Sequence, residues 1–170
     1  MPDKKFEARQ KKAVKLLQEV GAEKKPMSAA HIVEDYDGIK YQSFTNGFMG
    51  FMLKEEMPDL MFMEPLNMVK VIRENESKLR YEDTLVYRPS LKEIKEYIKI
   101  KKAENKDKLI QDDIIYQIGN HYYNAQYLVD VFEVLGGNIE MIQDETKPTT
   151  PGIFTSENGK AILLPIKPLR

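Results

Sequence analysis

Apolar residues recur at helical spacing in KKFEARQKKAVKLLQEVG, where Phe6, Ala13, Val14, Leu17 and Val20 share one stripe and Gly21 supplies a stop. The opposite side of this predicted helix carries Lys4, Lys5, Lys11, Lys12 and Lys15, with Arg9 on its flank. The period then changes. AHIVED, the turn Tyr36-Asp37-Gly38 and IKYQSF predict a β-hairpin, because Asp-Gly tolerates the positive φ of a tight turn. Thr45-Asn46-Gly47 is a second turn, and FMGFML a third strand.

The middle of the chain reads differently. Pro65 opens a short predicted helix through Ile72 with Leu66, Val69 and Ile72 inward, and LRYEDTLVY looks extended. Ser90-Leu91-Lys92-Glu93 is a capping box, in which the Ser oxygen and the Glu carboxylate satisfy free amide donors. It starts a helix that packs Leu91, Ile94 and Ile98 and leaves Lys92, Lys95, Lys99 and Lys102 in solvent. DIIYQIG is strand-like, and Asn124 precedes a helix with Leu128, Val131, Phe132 and Leu135 inward, stopped by Gly136-Gly137. Strands NIEMIQ, PGIFTS and AILLPI follow, separated by the loop Lys147–Pro151 and the turn Glu157-Asn158-Gly159. A helix followed by three strands therefore occurs at both ends, a repeat of architecture without residue identity.

Composition narrows the chemistry. A chain of 170 residues with 42% hydrophobic and 31% charged residues has material for one core, and is too apolar for wholesale disorder. The absence of Cys excludes disulfides, thiolate nucleophiles and Cys-ligated metal. No apolar run approaches the ~20 residues of a membrane span, so a cytoplasmic protein with no membrane contact is expected. The net charge of −1 argues against a whole-molecule polyanion binder, but residues 4–19 carry six basic and two acidic side chains, a local excess of +4. Such a face is either solvated or in contact with phosphates, which needs cations and no base-reading residue.

Enzyme signals are poor: there is no P-loop, dinucleotide fingerprint, nucleophile elbow or paired-His zinc motif. His31 falls in a predicted strand and His121 just before a helix, and both read as structural. The carboxylates Glu34/Asp35/Asp37, Glu55/Glu56 and Asp112/Asp113 sit beside turns and read as solvated. No catalytic residue, metal or cofactor is therefore expected. The run FMGFMLKEEMPDLMFMEP has two readings, a core filler or an adaptable groove for a peptide.

The segment YNAQYLVDVFEVLGGNIEMIQDETKPTTPGIFTSENGKAILLPIKPLR resembles the end of bacterial sliding clamps, the β subunit of DNA polymerase III, whose closing Leu/Met-Pro pattern reads here as Leu164-Pro165-Ile166-Lys167. AVKLLQEVGAEKKPMSAAHIVEDYDGIKYQSFTNGFMGFML looks like the clamp helix, strand, hairpin and Thr-Asp-Gly turn, the last appearing as Phe44-Thr45-Asn46-Gly47. The resemblance implies an α+β fold, a single DNA-clamp (processivity-fold) domain over 1–170. Its two βαβββ-like halves, about 4–56 and 113–170, would be related by pseudo-twofold symmetry, with 57–112 an insertion carrying an added helix. It further implies a non-enzymatic protein of DNA replication. Lys4, Lys5, Arg9, Lys11, Lys12 and Lys15 would contact double-stranded DNA weakly and without sequence preference. Thr45, Gly47, Phe48, Leu164, Pro165 and Ile166 would form a groove for clamp-binding peptides. The alternative is an interaction module that keeps the clamp fold but has lost DNA binding. Several departures bear on that choice. The chain has material for one domain where the family carries three, Asn46 replaces the usual Asp, and Phe48-Met49 replaces a polar, basic pair. The second helix offers Asp130 and Glu133 but no cation. Open sheet edges in a lone domain favour a homo-oligomer.

Overall fold

The computed structural model describes residues 3–22, 31–35, 37–45, 48–54, 68–105 and 114–167. In chain order the elements are α1 (Lys4–Ala22), β1 (His31–Glu34), β2 (Lys40–Thr45), β3 (Met49–Leu53), α2 (Met68–Lys78), a 3₁₀ turn (Tyr81–Asp83), β4 (Thr84–Tyr87), α3 (Leu91–Glu104), β5 (Ile115–Ile118), β6 (His121–Asn124), α4 (Ala125–Leu135), β7 (Glu140–Asp144), β8 (Gly152–Ser156) and β9 (Gly159–Leu163). The class is α+β, as expected. Among the described residues seven strands form one sheet in the order β1-β2-β3-β9-β8-β7-β4, with every neighbouring pair antiparallel. The two ends of the chain meet at its middle, where Phe51 of β3 lies opposite Ala161 of β9. β5 and β6 form a separate hairpin.

Strand alternation sends side chains to opposite faces of the sheet. Phe44, Phe51, Leu53, Met141, Phe154 and Leu163 enter the main core beneath α1, α3 and α4. Tyr41, Met52, Ile153 and Ile162 pack on the other face against Met68, Val69 and Ile72 of α2. Helices therefore cover both faces, and each strand of the middle pair is buried on both sides, which is why FMGFML reads as a continuous apolar run. In the described part of the Met-rich run, Met49–Leu53 is core and Phe48 is exposed; residues 55–67 lie outside the described residues, with Pro65 and Leu66 among them.

α4 lies between α1 and α3 and on the sheet. Its burial is almost all-round: Leu128, Val131, Val134 and Leu135 are fully buried and Val129 and Phe132 nearly so. Asn124 caps it, its side-chain oxygen accepting from the Gln126 and Tyr127 amides, and Gly136 ends it at φ +63°. α3 behaves as its pattern predicts. Ser90 accepts from the Glu93 amide, Ile94 is fully buried and Leu91 and Ile98 half-buried. Lys92, Lys99 and Lys102 are exposed, and Lys95 is exposed but reaches Glu133 on α4 at 3.1 Å.

Three expectations need correction. The inward stripe of α1 is Arg9, Ala13 and Leu16, with Phe6 and Val14 only half-buried; the side chains of Leu17 and Val20 lie outside the described residues. The helix is turned so that Arg9 and Lys12 face α4, where acceptors wait for them. His121 lies just before α4, as expected, but it stands in a strand, β6, that the pattern does not predict. The Gly119-Asn120 pair, with Gly119 at φ +55°, turns β5 back into β6. α2 runs on past Ile72 to Lys78, because the intervening Glu, Arg and Lys residues favour helix. The segment 57–112 supplies α2, the edge strand β4 and α3.

Candidate functional site

Two surfaces follow from this arrangement: an apolar corner where the chain ends meet, and the outer face of the helix layer. At the corner, β2 ends beside the start of β3 and the end of β9. Thr45 is buried and its hydroxyl donates to the Met49 carbonyl at 2.7 Å, tying the end of β2 to the start of β3. Phe48 is 42% exposed and Leu164 52%, and the Leu164 amide bonds the Phe48 carbonyl. The Ile166 amide donates to the Tyr122 carbonyl at 2.8 Å, which holds the segment after β9 along the β6 hairpin. Pro165 and Ile166 are half-buried.

Phe48 stacks on Tyr127 of α4, with ring centroids 5.2 Å apart and planes 29° apart. The structure thus brings together Thr45, Phe48, Leu164, Pro165 and Ile166 and adds Tyr122 and Tyr127. Gly47 lies outside the described residues. Thr45 shapes the corner from beneath rather than lining its surface. Tyr127 has a sequence signal only in hindsight, since it sits one turn into α4 on the side away from Leu128 and Phe132. This corner is apolar, partly exposed and framed by backbone hydrogen bonds, which suits capture of apolar side chains on an extended segment.

The helix layer divides the predicted cations. Lys4, Lys5, Lys11 and Lys15 are exposed on α1. Arg9 and Lys12 are not with them. Arg9 is 7% exposed and its Nε donates to the Val134 carbonyl at 2.8 Å, near the last turn of α4. Lys12 is 2.6 Å from Asp130 and 3.5 Å from Glu133. Burial draws the Lys12 pKa down, but the hydrogen bonds and charges of Asp130 and Glu133 outweigh it and hold the ammonium above its ordinary value. The acidic residues of α4 are therefore the ties that bind α1 on one side and, through Lys95, α3 on the other.

A buried polar cluster lies under the β5–β6 hairpin. Gln143, fully buried, accepts from the Tyr123 hydroxyl at 2.8 Å and donates to the Ile118 carbonyl and to Glu145, both at 2.7 Å. Glu145 also accepts from Tyr87 and from the Asn120 amide. Burial raises the Glu145 pKa, but those donors outweigh it and hold the carboxyl below its ordinary range. Burial and the Glu145 bond push Tyr87 up to about 12. Hydrogen bonds from Thr146 lower Asp144. His121 is fully buried, lies nearly parallel to Tyr123, and neither ring nitrogen reaches a hydrogen-bond partner of good geometry. Burial lowers its pKa against the opposing pull of Glu145, the Thr150 backbone and Asp144.

This cluster sets an acid response in two steps. Folded His121 resists protonation, so stability falls once pH drops below about 6.5, where the unfolded imidazole takes up its proton. Asp144 and Glu145 contribute stability that is complete only above their ordinary values of 3.8 and 4.5 and is lost as pH falls through their lowered folded values. Thermal melts from neutral to acid pH should show both declines, and His121→Phe should remove the first while leaving the second. Identical profiles for the two proteins would contradict the assignment. Among the described residues no group of three or more His, Asp or Glu is placed to hold a metal ion, and no helix is long and apolar enough to cross a membrane.

No protein-family model matches the chain, and no curated protein matches its sequence. Among solved structures it is similar to the Helicobacter pylori β clamp, crystallised bound to a DNA ligase peptide, with a TM-score of 0.40 and 12% identity. The match covers 75% of this chain and 41% of the clamp chain, so the chain spans about two fifths of that protein's length.

Proposed function

We propose that this protein is a non-enzymatic, clamp-like docking module that binds an extended, apolar peptide segment of a partner at the Phe48–Tyr127–Leu164 corner. The observation that carries the reading is the exposure of Phe48 and Leu164 side by side, on a corner whose backbone is fixed by the Thr45, Leu164 and Ile166 hydrogen bonds. The corner is preorganised, which lowers the ordering cost of binding. On this reading α1-β1-β2-β3 and α4-β7-β8-β9 are two halves about an approximate twofold axis between β3 and β9. The strand order and the side-by-side packing of α1 and α4 support it. Residues 57–112 are then an insertion within one clamp-type domain. The module works in the cytoplasm beside the replication machinery.

The balance between the two sequence readings shifts toward an interaction module. Arg9 and Lys12 are engaged in the contact with α4, while Lys4, Lys5, Lys11 and Lys15 are the exposed cations of α1. Those four favour a second, weaker activity, sequence-independent contact with double-stranded DNA, at or beyond the feeble end of the ~10⁻⁴–10⁻⁶ M range of non-specific binders.

Selection from a displayed library of random peptides tests the first reading. Apolar-anchored peptides should be enriched on the wild-type protein, and each of Phe48→Asp and Leu164→Asp should lose them while keeping the wild-type melting temperature. A DNA shift assay at low salt tests the second: Lys11→Glu/Lys15→Glu should abolish any binding. No enrichment of peptides would remove the first reading, and DNA binding indifferent to the charge reversal would remove the second.

A further inference from the structure

We propose that β4 is a self-recognition edge, through which two copies of this chain pair antiparallel about a twofold axis. The proposal is independent of the docking corner, which lies where β3 meets β9, whereas β4 sits beyond β8 and β7 at the margin of the sheet.

Among the described residues β4 pairs only with β7. Thr84 lies opposite Asp144, and the Glu145 amide donates to the Asp83 carbonyl across that pair. The antiparallel alternation that follows directs Leu85 and Tyr87 backbone groups toward β7 and those of Thr84 and Val86 away from it. The Thr84 amide is taken by the Tyr81 carbonyl. The Thr84 carbonyl and both backbone groups of Val86 therefore point out of the sheet edge, ready to extend it.

Edge strands in monomeric proteins are usually blunted by shortness, a charge, a proline or a bulge, and although β4 is only four residues long it lacks the other three within the strand. It reads Thr-Leu-Val-Tyr, and Leu85 and Val86 are each 55% exposed, one on either face of the sheet. Tyr81, at its entrance, is 97% exposed. What flanks the strand identifies the occupant. Glu82 and Asp83 precede it and Arg88 follows it. When a second β4 runs antiparallel to the first with Leu85 opposite Leu85 on one face, Val86 of each copy lies opposite Thr84 of the other on the opposite face. Each Val86 amide then meets a Thr84 carbonyl, and the acidic start of each copy at Glu82 meets the basic end of the other at Arg88. The edge is complementary to itself in charge, in apolar surface and in backbone hydrogen bonding, which singles out another copy of the same strand. Arg88 already touches Glu140 at 2.7 Å, but both side chains are more than half exposed and the guanidinium has donors to spare.

Sedimentation over a concentration series tests this on the full chain. The wild type should pass from monomer to dimer as concentration rises. Val86→Pro should stay monomeric: its lost amide points away from β7, so the ladder within the chain is intact and the melting temperature should hold. Arg88→Glu and Glu82→Lys/Asp83→Lys should each weaken the dimer by about tenfold or more. An equimolar mixture of those two proteins should form heterodimers, because one then presents acid at both ends of the edge and the other base at both. A wild type that remains monomeric at the highest attainable concentration would overturn the proposal. So would a dimer that survives Val86→Pro, or a mixture that fails to form heterodimers although both proteins are folded.

Discussion

Replacing Phe154 with Ala is expected to lower the free energy of unfolding by about 3–5 kcal/mol, the range for deleting a fully buried aromatic ring. Phe154 is the middle residue of β8, completely buried, and meets Phe132 of α4 and Tyr123 of β6 edge-on at centroid distances of 6.1 and 6.5 Å. Its ring therefore holds the helix layer, the main sheet and the small hairpin at one point. Collapse to fill the cavity is opposed from all three sides, which places the expected cost toward the upper part of that range. Urea denaturation at neutral pH measures it. A loss below about 1 kcal/mol, typical of substitutions away from such features, would mean that these three layers are not joined there.

Lys12→Ala should cost about 3 kcal/mol, the lower end of the range for breaking a buried ion pair. The Asp130 side chain is only 7% exposed and loses its cation, while Gln126 still donates to it at 3.0 Å and softens the loss. Lys11→Ala, one residue earlier but exposed, should change stability by no more than about 0.5 kcal/mol. The contrast distinguishes a helix whose cations all face outward from one turned into its neighbour. The sign with pH is also fixed. Because the folded pKa of Lys12 is raised, its contribution is complete below the ordinary value of 10.5 and is lost as pH rises through the folded value. The difference between wild type and Lys12→Ala should therefore be constant across neutral pH and shrink only in strong alkali.

The legible parts of this fold were those written locally. α4 announces itself through Asn124, its apolar positions and Gly136, and the turn at Glu157-Asn158 is followed by Gly159 at φ +142°, where a Cβ would stand 2.1 Å from the Met52 carbonyl oxygen. The orientation of α1 was not legible, because a lysine or arginine counts as outward in any periodicity, and the carboxylates that turn Lys12 inward lie on a helix far along the chain. The same limit hid Tyr122 and Tyr127 from the docking corner: only the pairing of β3 with β9, a long-range contact, brings Phe48 and Leu164 beside α4 and β6. β6 carries little signal of its own, because its four residues, HYYN, run directly into a strong helix signal. The edge character of β4 depends on strand order, which no segment of sequence carries alone.

On the proposed reading, the Phe48–Leu164 corner binds an apolar peptide segment. The most direct measurement is a binding isotherm of the best peptide recovered from the displayed library, taken in parallel on wild type, Leu164→Asp, Lys11→Glu/Lys15→Glu and Val86→Pro. Saturable binding to wild type, at least about tenfold weaker on Leu164→Asp and unchanged by the α1 and β4 variants, is the predicted result. Equal affinity for wild type and Leu164→Asp, with both proteins folded, would contradict it.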